Sequence, residues 1–430
     1  MSRRRRVRKL PLRAKGRCWS WEWLEQRLLL TNNWSGTIPN GTVWDNSQVQ
    51  QITGNVDIPA GATLTIQPGT VVKFDNGTTM TVDGTLNASG TSGQQIYFTS
   101  FYDDSIGGDT DGDGGTIVPV RGQWGQVLFT STSTADVLND AVVRYGGGGV
   151  DAEVEAKGAA PTLSNSVFSD SPGFGVRLTG SNATLTNDTF QNDDLPENGS
   201  GVGGAIHMDV SSQPTLQNIT FTNNYVNGVW VDPGTLPTGT TTWNNPDVVY
   251  FVPRTVTVPQ GSALTVSAGQ IVKLARSLVV GGTISVSGTA AQPVVFTSYH
   301  DNSVGGATIQ DGNTGPARGD WGQIQFTSTS TNDMLDNVLV NFGGGGFDAE
   351  VEADSASPVI SNSVFANSPG FGLRLSGSHA TLTGDTFQHN DTPENGNGVG
   401  GAIHMDVNSQ PVIEGASFSD NYVNAVWIDP

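Results

Sequence analysis

The chain has 430 residues, with 20 basic against 40 acidic side chains, 56 glycines, one cysteine, 36% hydrophobic and only 14% charged residues. So low a charged fraction, in a sequence rich in Val, Thr, Asn and Gly, excludes a disordered polyelectrolyte and points to an all-β protein. A single cysteine excludes an internal disulfide, and no apolar run approaches the roughly 20 residues a membrane-spanning helix needs.

The net charge of −20 is unevenly spread. Residues 1–30 hold ten Lys and Arg, including the run Arg3-Arg4-Arg5-Arg6, against Glu22 and Glu25, which leaves 10 basic and 38 acidic residues for the rest. A body this acidic repels nucleic acid and anionic membrane and suits cations or neutral sugars. The basic head lacks the apolar stretch of a standard secretory signal, its longest run being Leu28-Leu29-Leu30. Its segment Trp23-Leu24-Glu25-Gln26-Arg27-Leu28-Leu29-Leu30 resembles a leader motif of large bacterial surface proteins. The resemblance implies export, so residues 1–36 are expected to be an export segment of an extracellular or cell-surface bacterial protein. Cys18 follows no apolar run that would make it a lipid anchor.

From Thr37 the chain is a tandem duplication, with units at residues 37–233 and 234–430. Asp151–Pro233 aligns without gaps on Asp348–Pro430, with 57 identities in 83 positions. The segment from Val56 to Phe74 is repeated from Val256 to Leu274. Within a unit a shorter period appears. The phrase Leu163-Ser164-Asn165-Ser166-Val167-Phe168 returns at Leu185 and at Leu216, 22 and then 31 residues on. Each period holds short alternating strands broken by Gly, Asn, Ser and Pro, with no helical periodicity. Such a period is a solenoid signature: Leu and Phe form inward ladders, and Asn sits at a turn where it tolerates left-handed geometry and bonds its neighbours up the stack.

The chain at this point resembles the right-handed parallel β-helix repeat family, the superfold that includes pectate lyases. The fold expected is therefore all-β: a right-handed parallel β-helix, or β-solenoid, tandemly duplicated and continuous from one unit to the next. The resemblance implies little about function, because this superfold hosts lyases, hydrolases, adhesins and inert spacers.

In chain order, the first chemical motif is Asp109-Thr110-Asp111-Gly112-Asp113-Gly114-Gly115. Alternate carboxylates followed by Gly form the front half of a calcium loop. The twelfth position is Val120, which supplies no carboxylate, so Asp103 and Asp104 are the expected substitutes. The second copy reads Ala307-Thr308-Ile309-Gln310-Asp311, and calcium is expected in the first copy alone. Trp124-Gly125-Gln126 is expected to mark a turn entering a strand. Gly146–Gly149 is no phosphate loop, since neither Lys-Ser/Thr nor a helix follows.

Stacking the coils gathers a second constellation. In Val176-Arg177-Leu178 the apolar residues point inward and Arg177 outward. The aligned coils then place Glu153, Glu155, Arg177, His207, Asp209, Trp230 and Asp232 on one outward face. The second copy repeats it with Glu350, Glu352, Arg374, His404, Asp406, Trp427 and Asp429. The longer coil carries nine extra residues around Asp193–Gly201, expected to wall this face and to bring in Asp194 and Glu197, with Glu394 in the second copy. Carboxylates, an imidazole, an Arg and a Trp on a flat sheet suit a polysaccharide or cell-surface glycan. A plain cross-strand ion pair between Glu155 and Arg177 is the competing expectation. A β-helix polysaccharide lyase or glycoside hydrolase is the alternative function. Against it, Asn192-Asp193-Asp194 and Ile206-His207-Met208 depart from the Asp trio and the Gly-His-Gly motif of hydrolase-type pectinases. Both units end in the same phrase, Val229–Pro233 and Val426–Pro430, from which further repeats or end-to-end association are expected.

Overall fold

The computed structural model describes residues 31–194, 203–312, 315–391 and 400–429. Among them every regular element is a β-strand, and strand pairs with strand in parallel throughout. The local cause is visible in Ser262–Ser267, where buried and half-buried residues alternate. A period of two, β-branched residues and a Gly or Asn every few positions leave no stretch on which a helix can nucleate.

One coil shows the plan. Val71–Phe74, Met80–Val82 and Thr85–Ser89 form three walls, after which Ile96–Ser100 returns onto Val71–Phe74 with Val72 opposite Phe98. The coil is right-handed, the hand that parallel crossovers almost always take. Adjacent coils are held by backbone ladders at roughly 4.8 Å. Inside, Val143, Phe168, Phe190 and Phe221 are successive partners on one wall. Leu138, Leu163, Leu185 and Leu216 are partners on another. Phe168 and Phe190 stack with centroids 5.0 Å apart. Each such side chain, fully buried, contributes about 1.5–3 kcal/mol, so the core is a row of small equal terms. The turn asparagines form the expected ladder. Asn187 Nδ2 donates to Asn165 Oδ1 and Asn218 Nδ2 to Asn187 Oδ1, each at 3.1 Å, with φ between 52° and 58° at all three.

Thr31–Thr37 is a strand paired with Val49–Ile58, so the stacked body includes residues 31–36 of the expected export segment. Trp124-Gly125-Gln126 follows a turn at Arg121-Gly122 and leads into the strand Val127–Phe129, as expected, and Trp124 has a packing role as well. It is fully buried, stacks on Phe74 at 4.2 Å and donates from Nε1 to the Arg144 carbonyl at 2.9 Å. Gly146, Gly147 and Gly148 serve close packing, since a Cβ on Gly148 would lie 2.1 Å from the Gly122 carbonyl oxygen.

At the junction the walls shift by one. Val229–Val231 belongs with Gly204–Met208 below it and with Val249–Val252 above it. Thr220–Thr222 pairs with Thr189–Gln191 and, among the described residues, with no strand above. A long loop in each unit folds back over the outer face. Lys73, fully buried, donates from Nζ to the Gly108 carbonyl at 2.7 Å and to Thr110 Oγ1 at 2.9 Å. Lys273 does the same to Gly306 at 2.7 Å. The second loop also reaches the first unit. Ile309 bridges Val226 and packs with Val226 and Phe251, with Tyr225 and Trp230 at the edge of the cluster.

Candidate functional site

The register places Glu155, Arg177, His207 and Trp230 on successive coils of one wall, with Glu352, Arg374, His404 and Trp427 repeating the row. The other expected members depart from it. Glu153 and Glu350 are fully buried, packed against Gly146 and Gly343. Glu153 Oε1 accepts the Ser169 amide at 2.9 Å. Asp209 and Asp406 are spent on a turn: Asp209 accepts the Gly180 amide and the Ser211 and Ser212 hydroxyls, and Asp406 accepts the Gly377 amide and the Ser409 hydroxyl. Asp194 and Asp391 are 1% exposed and do not stand on the outward face. Glu197, Glu394 and most of the expected side wall lie outside the described residues.

The remaining row is a set of neutralised pairs. Arg177 pairs with Asp151, not with Glu155, whose carboxylate instead accepts Gln126 Nε2 at 3.3 Å. In the second copy the simple cross-strand pair does form, Arg374 Nη1 to Glu352 Oε1 at 2.6 Å. His207 Nε2 meets Asp232 Oδ1 at 2.7 Å, and His404 Nε2 meets Asp429 Oδ2 at 2.8 Å. Trp230 is half-buried and edge-on to Phe251 at 5.2 Å, so the second unit's loop removes it as an open stacking platform. Trp427 is 37% exposed.

Beside this row is a hollow of about 440 Å³ lined by Gly147, Asp151, Pro172, Phe174 and His207, among others. Phe174 lies against the imidazole with centroids 4.5 Å apart. Asp232 fixes Nε2 of His207, while Nδ1 has no hydrogen-bond partner among the described residues although it is buried. This hollow is not visible in the sequence, because Pro172 and the Gly147–Asp151 turn come to His207 only through the stacking.

The acidic loop forms as a cluster. Ligand-type oxygens of Asp104, Asp109, Asp111 and Asp113 all lie within 4.8 Å of one another. Burial, then repulsion by Asp109, pushes the Asp104 carboxyl up, and burial does the same to Asp111. Asp104 Oδ1 and Asp111 Oδ2 have no hydrogen-bond partner among the described residues, which suits a hard cation. Asp103 is not part of this group. It is 1% exposed, ion-paired to Arg144 at 2.5 Å and bonded to Thr99 Oγ1 at 2.6 Å.

The right handed beta helix region family matches residues 125–245. Together with the all-parallel stacked walls, this makes the chain a right-handed parallel β-helix protein. No curated protein matches it. Among solved structures it is similar to the catalytic unit of a thermostable GH87 α-1,3-glucanase from Streptomyces thermodiastaticus, at 12% identity and a TM-score of 0.32, over 90% of this chain and 64% of that one. The chain thus spans less than two thirds of that catalytic unit. It is also similar to the A-module of a mannuronan C-5 epimerase from Azotobacter vinelandii, at 11% identity and a TM-score of 0.27, over 88% of this chain and 89% of that one. At these values neither likeness bears on activity.

Proposed function

We propose that the chain is an exported structural or adhesive β-helix that binds a neutral glycan at the His207 hollow of its first unit. The observation that carries this reading is His207 itself. Its ring is held by Asp232 and Phe174 at the edge of a hollow where Asp151 is paired with Arg177. The exposed Asp151 carboxylate at the rim takes sugar hydroxyls, exposed Pro172 takes C–H groups, and the balanced charge favours an uncharged ligand. The acidic body supports the same preference. The test is a glycan array followed by titration of the best neutral oligosaccharide. His207→Ala should weaken binding at least tenfold, about 1.4 kcal/mol, while Trp427→Ala should have little effect. Binding retained in full by His207→Ala would place the site elsewhere.

We also propose that calcium occupies the Asp104–Asp113 cluster, where it would tie the loop together. Asp111→Asn should abolish calcium binding measured by calorimetry, and saturating calcium should raise the wild-type melting temperature by mass action. A wild-type chain indifferent to calcium would contradict this.

A further inference from the structure

We propose that a second cleft, between the long loop and the turn at Asp170, is a further sugar subsite that continues the His207 hollow across Pro172. The inference rests on the carbohydrate reading above and extends it from one sugar to a chain of them.

The cleft measures about 470 Å³, within the roughly 300–1,000 Å³ of small-molecule sites. Its lining includes Val120, Arg121, Tyr145, Asp170, Pro172 and Asp194. Pro172 also lines the His207 hollow, so the two depressions share one wall and lie side by side. Arg121 is held by Asp170 at 3.6 Å through Nη2, and its Nη1 has no hydrogen-bond partner among the described residues. Donor, carboxylate and phenol thus surround apolar walls from Pro172 and Val120. That mixture orients a polyol by directional bonds and packs its C–H faces. The Arg121–Asp170 pair is balanced within the cleft, which fits a neutral sugar.

The duplication supplies the control. Arg121, Pro172 and Asp194 recur as Arg318, Pro369 and Asp391, but Tyr145 is replaced by Phe342 and Asp170 by Asn367. The backbone is the same in both copies, with φ of 65° at Tyr145 and 63° at Phe342, and 61° at both Asp170 and Asn367. The fold therefore accepts either pair, and the first cleft differs from its counterpart by the hydroxyl, the carboxylate and Val120 in place of Ala317.

The experiment is calorimetric titration of the full chain with cello-, laminari-, malto- and chitohexaose, and with the trisaccharide of whichever binds best. The double variant Tyr145→Phe/Asp170→Asn, which reproduces the second copy's residues, should fold normally by circular dichroism. It should lose about tenfold in affinity for the hexasaccharide and none for the trisaccharide. Unchanged hexasaccharide affinity, or equal loss at both lengths, overturns the second subsite and leaves the His207 site standing. A wild-type chain that binds none of the four overturns both.

Discussion

Asp193 stands where its duplicate has an amide. Asn390 accepts the Ser368 amide at 3.0 Å with Oδ1 and donates from Nδ2 to the Phe365 carbonyl at 3.1 Å. Asp193 Oδ1 makes the first of these bonds, to Ser171 at 3.0 Å, but its Oδ2 is buried with no hydrogen-bond partner among the described residues. Burial pushes the Asp193 carboxyl well up, and burial followed by repulsion from Asp193 does the same to Glu153. A protonated Asp193 can donate as the amide does, whereas the anion cannot. Asp188 is pushed up to about 7 by burial, against two backbone donors. A carboxyl whose folded pKa lies above its unfolded value adds stability that is full below the unfolded pKa and lost as pH rises through the folded one. For Asp188 that loss runs from about pH 4 to about pH 7. Asp406 has the opposite sign. It is held down to about 2, first by the Ser409 hydroxyl, so its contribution is present above the unfolded pKa and lost toward pH 2. The melting temperature should therefore peak near pH 4–5, by this rough balance, and fall toward neutrality. Asp193→Asn should stabilise the chain at pH 7.5 by about 1–3 kcal/mol and much less at pH 4. Thermal melts of both proteins at the two pH values check this, and a gain of equal size at both would show that protonation is not the cause.

The long loops show how one element can serve two ends. In the first unit the loop presents Asp111, and at the equivalent place in the second unit it presents Ile309 against Val226 and Phe251. Asn227 donates to the Thr308 carbonyl at 2.8 Å and Gln310 to the Tyr225 carbonyl at 2.9 Å, so the contact is a small strand-like clasp. Ile309→Asp should open it, costing about 2–4 kcal/mol of junction stability, and should expose Trp230 enough to red-shift its fluorescence. An unshifted spectrum with unchanged resistance to proteolysis near residue 309 would refute the clasp. The ladders of Leu185 and Phe190 were legible because an inward row demands one apolar residue per coil at a fixed offset. The row from Glu155 to Trp230 was legible for the same reason. Glu153 was not, because its burial depends on Gly146 and the Ser169 amide, which reach it only through the stacking. Lys73 and Lys273 sat in plain view within Val71–Phe74 and Ile271–Leu274. Their role depends on where a loop some 35 residues on comes to rest, which no local pattern encodes. The Pro172 clefts were hidden in the same way.

At the scale of the molecule, the coils form a rod in which each contacts mainly its neighbours, so stability is close to a sum of local terms. The wall shift makes one term weak. Phe190 is fully buried, but Phe221, next in the same ladder, is only half-buried, and Thr220 and Thr222 are exposed. Amide hydrogens at Thr220–Thr222 should exchange well before those at Thr189–Gln191, and cooperative opening should begin at the junction. Mass-spectrometric exchange tests this, and uniform protection through both segments would mean the shift costs nothing. The clasp across that weak point bears on how such a rod can grow. A loop that grips the unit before it has given up Asp109 and Asp111 for Ala307 and Ile309, so the same stretch of chain cannot be both a cation cradle and a coupling. The second unit therefore adds reach without a second acidic loop, and the exchange of two residues, Asp109 and Asp111 for Ala307 and Ile309, separates the two uses of the loop.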